Sequence, residues 1–145
     1  MDQQGHSLAI QALEAVLLGR AIIGMYFSGS NLWFNDPDHP SGRDAYLRIE
    51  NSWALVDPGA GSDHLPEDLR NDYRELARVA ASLAESRVQS IRLGTEHAHL
   101  WLTFDDGQTL FVCGKKDCYE SWELSYGDYM VVALAGGDVA VWSPS

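Results

Sequence analysis

The sequence predicts an α+β fold in which two helices pack on a mostly antiparallel β-sheet. Two segments place apolar residues three and four positions apart, as amphipathic helices do. After each segment the apolar and polar side chains alternate, which is typical of half-buried strands. An Asp106-Gly107 pair between two alternating segments indicates a hairpin, and a hairpin joins antiparallel neighbours.

The two predicted helices differ in how clearly their ends are marked. The first begins at Ser7, which suits an N-cap, and ends at Gly19, a residue type that commonly follows the last turn. Its apolar positions are Ile10, Leu13, Val16 and Leu17. The second begins at Pro66, with Glu67 and Asp68 in a first turn where the helix dipole favours negative charge. Its apolar face contains Leu69, Tyr73, Leu76, Ala80 and Leu83.

Strands are predicted wherever the apolar pattern has a period of two. They cover residues 22–27, 32–34, 46–49, 88–93, 100–104, 110–113, 122–124, 130–134 and 139–142. Gly136-Gly137-Asp138 is the predicted turn between the last two strands. Residues 56–62 are rich in turn formers, and we interpret them as a connector.

A chain of 145 residues is expected to form a single domain, residues 1–145. Its two halves, about 7–56 and 66–118, look like copies of one helix–strand–strand–strand unit, and strands at 119–142 follow. In this alignment Phe34-Asn35-Asp36 corresponds to Phe104-Asp105-Asp106. Each half is too small to be stable alone, so we expect both to share one core.

The composition is strongly acidic. The chain contains ten lysine and arginine residues and 21 aspartate and glutamate residues. Its net charge is therefore −11, and its isoelectric point is near 4.6. Nucleic acid and anionic membrane surfaces repel such a chain, so we expect neither as a partner. The acidity either keeps the protein dispersed or steers it towards a basic protein partner, and both interpretations stay open.

Two polar clusters contain side chains of the kinds that bind metals. His97 and His99 are two positions apart, so on a strand both imidazoles would project from one face. Asp36, Asp38 and His39 lie together in the longer loop of the first half. Neither cluster has companion ligands at a known spacing. We therefore predict no metal site, although metal binding by either cluster stays open.

The sequence contains no recognisable catalytic motif. Gly59-Ala60-Gly61 lacks the third glycine of a dinucleotide-binding fingerprint, and no G-x-S-x-G elbow occurs. Cys113 and Cys118 have neither a local cysteine-protease signature nor further zinc ligands, so we interpret both as reduced structural thiols. We predict no catalytic residues, no cofactor and no enzymatic activity.

Three motifs in the C-terminal half carry a resemblance. They are F-x-D-G-x-x-L at residues 104–110, Y-E-x-W at 119–122 and G-G-x-x-x-x-W at 136–142. With these motifs the chain resembles a family of small bacterial proteins of uncharacterised function, some of which are thought to act as immunity proteins beside secreted polymorphic toxins. The resemblance implies an inhibitor and supplies no catalytic residues. The chain departs from the family by its longer loop between Asp36 and Tyr46.

The leading hypothesis is a cytoplasmic immunity-type inhibitor that binds and occludes a cationic toxin domain, with a domain that acts on nucleic acid as the candidate target. Carboxylates would take the places of phosphates in the toxin's basic cleft, and aromatic rings would anchor the interface. The candidate contacts are Asp36, Asp38, Glu120, Glu123, Asp128, Trp33 and Trp101, and we expect both tryptophans to be partly exposed. The cytoplasm is expected because no apolar run could cross a membrane and no signal peptide is recognisable.

Two alternatives stay open. The first is a protein-binding domain with no inhibitory role. The second is a small-ligand sensor or an enzyme that uses a polar pocket near His97 and His99. A pocket with convergent ionisable groups would favour the second alternative, whereas a convex acidic surface would favour protein binding.

Overall fold

The computed structural model describes residues 2–26, 30–39, 42–56, 66–115 and 120–143. In these residues two α-helices and ten strands form two antiparallel sheets, which confirms the α+β class. The helices are α1 (Gln3–Leu17) and α2 (Tyr73–Ser82). The strands are β1 (Ala21–Tyr26), β2 (Asn31–Asn35), β3 (Ala45–Ile49), β4 (Trp53–Val56), β5 (Val88–Leu93), β6 (Leu100–Phe104), β7 (Thr109–Val112), β8 (Trp122–Tyr126), β9 (Tyr129–Ala133) and β10 (Val139–Trp142).

The strands divide into a six-stranded sheet and a four-stranded sheet. Their orders are β1-β2-β3-β8-β9-β10 and β4-β7-β6-β5. The chain passes from the larger sheet to the smaller one at residues 50–52, where the N–H of Cys113 donates a 2.8 Å hydrogen bond to the carbonyl of Ser52. Ala21 in β1 also bridges Arg87, which directly precedes β5. The two sheets are therefore linked at more than one point.

A hydrophobic core joins both helices to the inner faces of both sheets. From α1 it takes Leu13, Val16 and Leu17. From the sheets it takes large, fully buried side chains that include Phe34, Leu47, Leu102, Phe104, Trp122 and Leu124. Burying an aliphatic or aromatic side chain of this size stabilises the fold by about 1.5–3 kcal/mol. The core extends through both predicted halves of the chain, so neither half has a core of its own.

Helix α1 begins earlier than the sequence analysis predicts. Its N-cap is Asp2, whose Oδ1 accepts a 2.6 Å hydrogen bond from the N–H of Gly5, so the Ser7 cap is wrong. A carboxylate at the N-cap also interacts favourably with the helix dipole, and Ser7 then lies inside the first turns. The predicted end at Gly19 is confirmed, since the helix stops at Leu17 and Gly19 adopts a left-handed φ of 81°.

Helix α2 begins later than predicted. Asp72 caps it by accepting a 2.8 Å hydrogen bond from the N–H of Arg74, so the start at Pro66 is wrong. Arg70 instead exchanges two backbone hydrogen bonds with Trp53, of 2.8 and 2.7 Å, which hold the residues before α2 against β4. For this reason Leu69 and Tyr73, predicted for the buried face, are exposed, whereas Leu76, Ala80 and Leu83 are buried as expected.

The predicted hairpin at Asp106-Gly107 is confirmed, but its turn is a different type. The N–H of Gly107 donates to the carbonyl of Phe104, and the N–H of Phe104 donates to the carbonyl of Gln108. Gly107 alone of the pair has a positive φ, 91°. This pattern is a type I turn followed by a one-residue bulge rather than a two-residue turn. The turn at Gly136-Gly137-Asp138 is also confirmed, with positive φ at both glycines.

Each helix is followed by a three-stranded antiparallel meander: β1-β2-β3 after α1 and β5-β6-β7 after α2. Phe34 and Phe104 both lie in the second strand of their meander and are fully buried. Strand β4 has no counterpart in the predicted unit. Duplication of one ancestral unit stays a prediction.

In the described part of the chain, neither helix has the length and apolar content needed to span a membrane.

Candidate functional site

The seven residues predicted to contact a partner do not form one site. Glu120 and Glu123 lie beside Arg48 on the larger sheet. Asp36 and Asp38 lie beside Arg87, at the junction of the two sheets. Trp33 in β2 lies on the same face of that sheet as Glu123, because Trp33 pairs with Tyr46 and Glu123 pairs with Arg48, two positions further along β3. Asp128 is exposed in the turn between β8 and β9, and Trp101 lies in the smaller sheet.

A row of side chains crosses the outer face of the six-stranded sheet. The strand register pairs Trp33 with Tyr46, Tyr46 with Ser125, Ser125 with Met130, and Met130 with Trp142. Directly opposed residues share one face of a sheet, so these five side chains form a continuous line. We call the line, together with the neighbouring Tyr26, the aromatic row. At about 4.8 Å between strands, it spans roughly 19 Å from β2 to β10.

The aromatic row is accessible to solvent. Tyr26, Tyr46 and Trp142 are 55%, 36% and 54% exposed. Trp33 is half-buried because Tyr26 packs edge-on against it at 4.4 Å between ring centroids, and Tyr46 does so at 5.8 Å. Exposed aromatic rings already held by their neighbours lose little side-chain freedom on binding, which makes them effective interface anchors.

A second row on the same face carries charge. The register pairs Asn31 with Arg48 and Arg48 with Glu123. The guanidinium of Arg48 lies 2.5 Å from Glu123, 3.3 Å from Glu50 and 3.8 Å from Glu120, measured nitrogen to oxygen. We call these four residues the Arg48 cluster. Three carboxylates surround one guanidinium, so the cluster itself is negative.

A cleft of about 600 Å³ opens beside the Arg48 cluster. It is lined by Arg48, Glu50 and Glu120 together with the apolar side chains of Leu134 and Ala135. Leu134 and Ala135 follow β9, so the cleft lies at the end of the sheet where β9 finishes. An apolar wall beside carboxylates fits a long side chain with an aliphatic stem and a cationic head.

Asp36 and Asp38 hold the junction of the two sheets together. Arg87 donates to Asp36 at 3.1 Å, to Asp38 at 2.8 Å and to the carbonyl of Gly19 at 2.7 Å. The hydrogen bond from the N–H of Asp38, with a smaller contribution from Arg87, keeps the pKa of the Asp36 carboxyl below its usual range. Their contacts within the chain are structural, which weakens their assignment as partner contacts.

Trp101 is buried, so the expected partial exposure of this residue is wrong. Its side chain is 5% exposed and packs with Phe111 and Cys113 in a small cluster on the smaller sheet. The guanidinium of Arg92 lies 4.1 Å above the indole ring, in a cation–π contact. The alternation in β6 did indicate that Trp101 faces away from Leu100 and Leu102, but that face is also covered.

The segment 97–99 is a loop between β5 and β6, not a strand as the metal hypothesis assumed. Several elements converge on it. The N–H of Ala98 donates to the carbonyl of Gly137 at 2.9 Å, and the indole Nε1 of Trp122 donates to the carbonyl of Ala98 at 2.7 Å. A Cβ on Gly114 would lie 1.7 Å from the same carbonyl. This loop is therefore fixed by both sheets.

His97 and His99 line a cleft of about 410 Å³, which we call the histidine cleft. Its other lining residues are Gly94, Thr95, Glu96, Trp101 and Lys115. The two imidazole centroids are 5.8 Å apart, so the loop brings the rings together even without a strand. Burial, followed by the charges of His97 and Lys115, lowers the pKa of His99 below its ordinary value, which favours the neutral ring.

The proton of the neutral His99 ring can be assigned. The N–H of Gly114 donates a 3.0 Å hydrogen bond to Nδ1, so Nδ1 carries a lone pair and the proton lies on Nε2. In His97 the Nδ1 atom is buried close to Gly137. A Cβ added at Gly137 would lie 2.6 Å from this Nδ1 atom. Each ring therefore has Nε2 as the polar atom that it can present to the cleft.

Within the described residues, no three His, Cys, Asp or Glu side chains come together as a metal site would require. Cys113 is a buried free thiol. Cys118 and the Gly59-Ala60-Gly61 connector lie outside the described residues, so their interpretations stay predictions.

A family model, described as a family of unknown function and designated DUF6188, matches residues 13–143. The chain belongs to the DUF6188 family. No curated protein and no solved structure matches it. The match covers most of the first predicted half of this DUF6188 chain, all of the second half and the C-terminal strands.

Sequence reasoning missed several residues of the DUF6188 surface, although a signal was present. Tyr46, Arg48 and Glu50 alternate with the apolar Ala45, Leu47 and Ile49, which indicates that they share the outer face of β3. Met130 and Trp142 continue the row from Tyr46 two and three strands further along the sheet. Both are more than 80 positions from Tyr46 in the sequence, and the strand order brings them into one line. No local sequence pattern indicated that Lys115 and His99 would line the same cleft.

Proposed function

We propose that this DUF6188 chain is a protein-binding domain that docks a cationic partner on the outer face of its six-stranded sheet. More specifically, we propose an immunity-type inhibitor that acts in the cytoplasm by occluding a toxin domain. The observation that carries the proposal is the exposed aromatic row beside the Arg48 cluster.

The aromatic row supports a protein as the partner. Tyr and Trp are enriched at the centres of protein interfaces, where they lose contact with water and contribute most of the binding energy. Tyr26, Tyr46 and Trp142 lie on a broad sheet face rather than inside a deep pocket. A surface of this shape buries its rings more completely against another protein than against a small molecule.

The charge supports a cationic partner. The whole chain carries a net charge of −11, which accelerates encounter with a basic surface over long distances. The Arg48 cluster adds a local negative site, and the cleft beside it fits one lysine or arginine side chain of the partner. A toxin that acts on nucleic acid has a basic active cleft, so an acidic face with aromatic anchors would cover that cleft and exclude its substrate.

The proposal is tested by co-expressing the chain with its predicted target in bacteria. The target is the variable C-terminal domain of a large secreted protein encoded by the adjacent gene. We expect the chain to restore growth that this domain arrests. Alanine at both Tyr46 and Trp142 should abolish the rescue, whereas Tyr73→Ala, a matched control at an exposed tyrosine of α2, should retain it.

Each other outcome has a definite meaning. Binding to the toxin domain without rescue of growth would support the non-inhibitory alternative over the inhibitor. The proposal would be contradicted if no such neighbouring gene exists, or if the chain neither binds the domain nor restores growth. Loss of rescue in the Tyr73→Ala control as well would show that the aromatic row is not the docking surface.

A further inference from the structure

We infer that the histidine cleft is a binding site for a small monocarboxylate, which accepts hydrogen bonds from Nε2 of His99 and from the ammonium group of Lys115. The site is separate from the proposed docking face, because its residues belong to the smaller sheet and to the loops at its edge. The inference does not depend on the identity of any protein partner.

The donor on His99 is set in place before a ligand arrives. The ring is 8% exposed, and its Nδ1 is occupied by the N–H of Gly114, so rotation of the ring would break a buried hydrogen bond. The proton therefore stays on Nε2, the remaining polar atom of a ring that lines the cleft. A hydrogen-bond donor that the fold holds in position, so that a ligand can supply the acceptor, is typical of a binding site.

The loop that carries the His99 ring packs closely against two glycines. A Cβ on Gly114 would lie 1.7 Å from the carbonyl of Ala98, and a Cβ on Gly94 would lie 2.3 Å from the carbonyl of His97. Any other residue at these two positions would displace the loop. The two imidazoles are thus fixed relative to the cleft by three elements: the end of β5, the end of β7 and the β9–β10 turn.

The charges of the cleft favour a monoanion over a dianion, because the lining contains one cationic and one anionic side chain. Lys115 lies close enough for its charge to act on His99, and it supplies a cationic donor at the cleft wall. Glu96 also lines the cleft and would repel a dianion such as phosphate more strongly than a single carboxylate. Trp101, although 5% exposed, is among the residues that line the cleft and adds a small apolar part to the wall, which fits a carboxylate attached to an apolar body.

The test is an NMR titration of the full chain labelled with ¹⁵N-histidine, with sodium benzoate as the probe and with acetate and inorganic phosphate as comparisons. In the free protein, the His99 signals should report a proton on Nε2 and none on Nδ1. Benzoate should then shift the Nε2 signal of His99 in a saturable manner. Acetate, which lacks the apolar body, and phosphate should bind more weakly.

Two variants separate binding from folding. Lys115→Gln alters an exposed side chain and should weaken benzoate binding about tenfold, as expected for loss of one charged hydrogen bond. His39→Gln, at an exposed histidine outside the cleft, should leave the affinity unchanged. A proton on Nδ1 of His99, no saturable shift, tighter binding of phosphate than of benzoate, or equal weakening by both variants would each overturn the inference.

Discussion

The indole Nε1 of Trp122 donates a 2.7 Å hydrogen bond to the carbonyl of Ala98. Trp122 begins β8 in the middle of the six-stranded sheet, whereas Ala98 lies in the loop between β5 and β6 of the four-stranded sheet. The bond is fully buried, so it connects the two sheets where water cannot replace either partner.

Trp122→Phe should therefore destabilise the protein by about 2–4 kcal/mol, because it leaves a cavity and an unpaired buried carbonyl. Trp142→Phe is the matched control, since Trp142 is exposed, and it should change the free energy of unfolding by less than about 0.5 kcal/mol. Urea denaturation measures both values. Similar losses in the two variants would contradict the structural role of Trp122.

Gly114→Ala should be far more damaging than Gly19→Ala. The new methyl group at position 114 would lie 1.7 Å from the carbonyl of Ala98, whereas nothing lies within 4 Å of a methyl group at position 19. Gly19→Ala carries mainly the strain of a left-handed φ, about 1 kcal/mol. We expect Gly114→Ala to lose more than about 3 kcal/mol or to fail to fold. Thermal unfolding of both variants checks this order, and a smaller loss at position 114 would contradict it.

Stability should decrease as the pH falls below the ordinary histidine range. Burial lowers the pKa of His99 in the folded protein, and the charges of His97 and Lys115 lower it further. The unfolded chain, in which the pKa of this histidine is about 6.5, then binds a proton at a pH where the folded chain does not. The stability that neutral His99 contributes is complete above about pH 6.5 and is lost as the pH falls towards the lower folded pKa.

This pH dependence is measured by urea denaturation at pH 7.5 and at pH 5.5. The loss of stability between these two values should be smaller in His99→Gln, which cannot titrate, and unchanged in His39→Gln. A wild-type protein that becomes more stable at the lower pH would contradict the assignment of His99 as a neutral, buried ring.

Association with the proposed cationic partner should slow as the salt concentration rises. Salt screens the attraction between the acidic face and a basic surface, so the association rate should fall more than the dissociation rate rises. Glu120→Gln should reduce the association rate, whereas Glu14→Gln on the exposed face of α1 should reduce it less. Surface plasmon resonance at several salt concentrations separates the two rates. Association that is insensitive to salt would contradict electrostatic steering.

Local patterns in the sequence were sufficient to predict most of the fold. Alternating residues identified nine of the strands described, and the spacing of Leu76, Ala80 and Leu83 identified α2. The start of α2 was misplaced because Pro66 and Asp72 are both good helix-start signals. The backbone pairing of Arg70 with Trp53, a tertiary contact, decides between them. The start of α1 was misplaced at Ser7 because Asp2, the actual N-cap, and Ser7 are both suitable capping residues.

The candidate sites were less predictable because they depend on strand order. Trp33, Tyr46, Met130 and Trp142 come from four strands, and their line exists because β3 pairs with β8 across more than 70 positions of sequence. Trp101 follows the same alternation as Trp33, yet Trp101 is buried among Phe111, Cys113 and Arg92, whereas Trp33 is half-buried. Periodicity assigns a side chain to a face but does not show what covers that face.

The most direct test of the proposed docking face is oxidative footprinting of the chain alone and in complex with the proposed toxin domain, read by mass spectrometry. Hydroxyl radicals modify exposed Tyr, Trp and Met side chains. In the complex we predict strong protection of Tyr26, Tyr46, Met130 and Trp142, with no change at Tyr73 on α2. Protection of Tyr73 while the aromatic row remains reactive would contradict the proposed docking face.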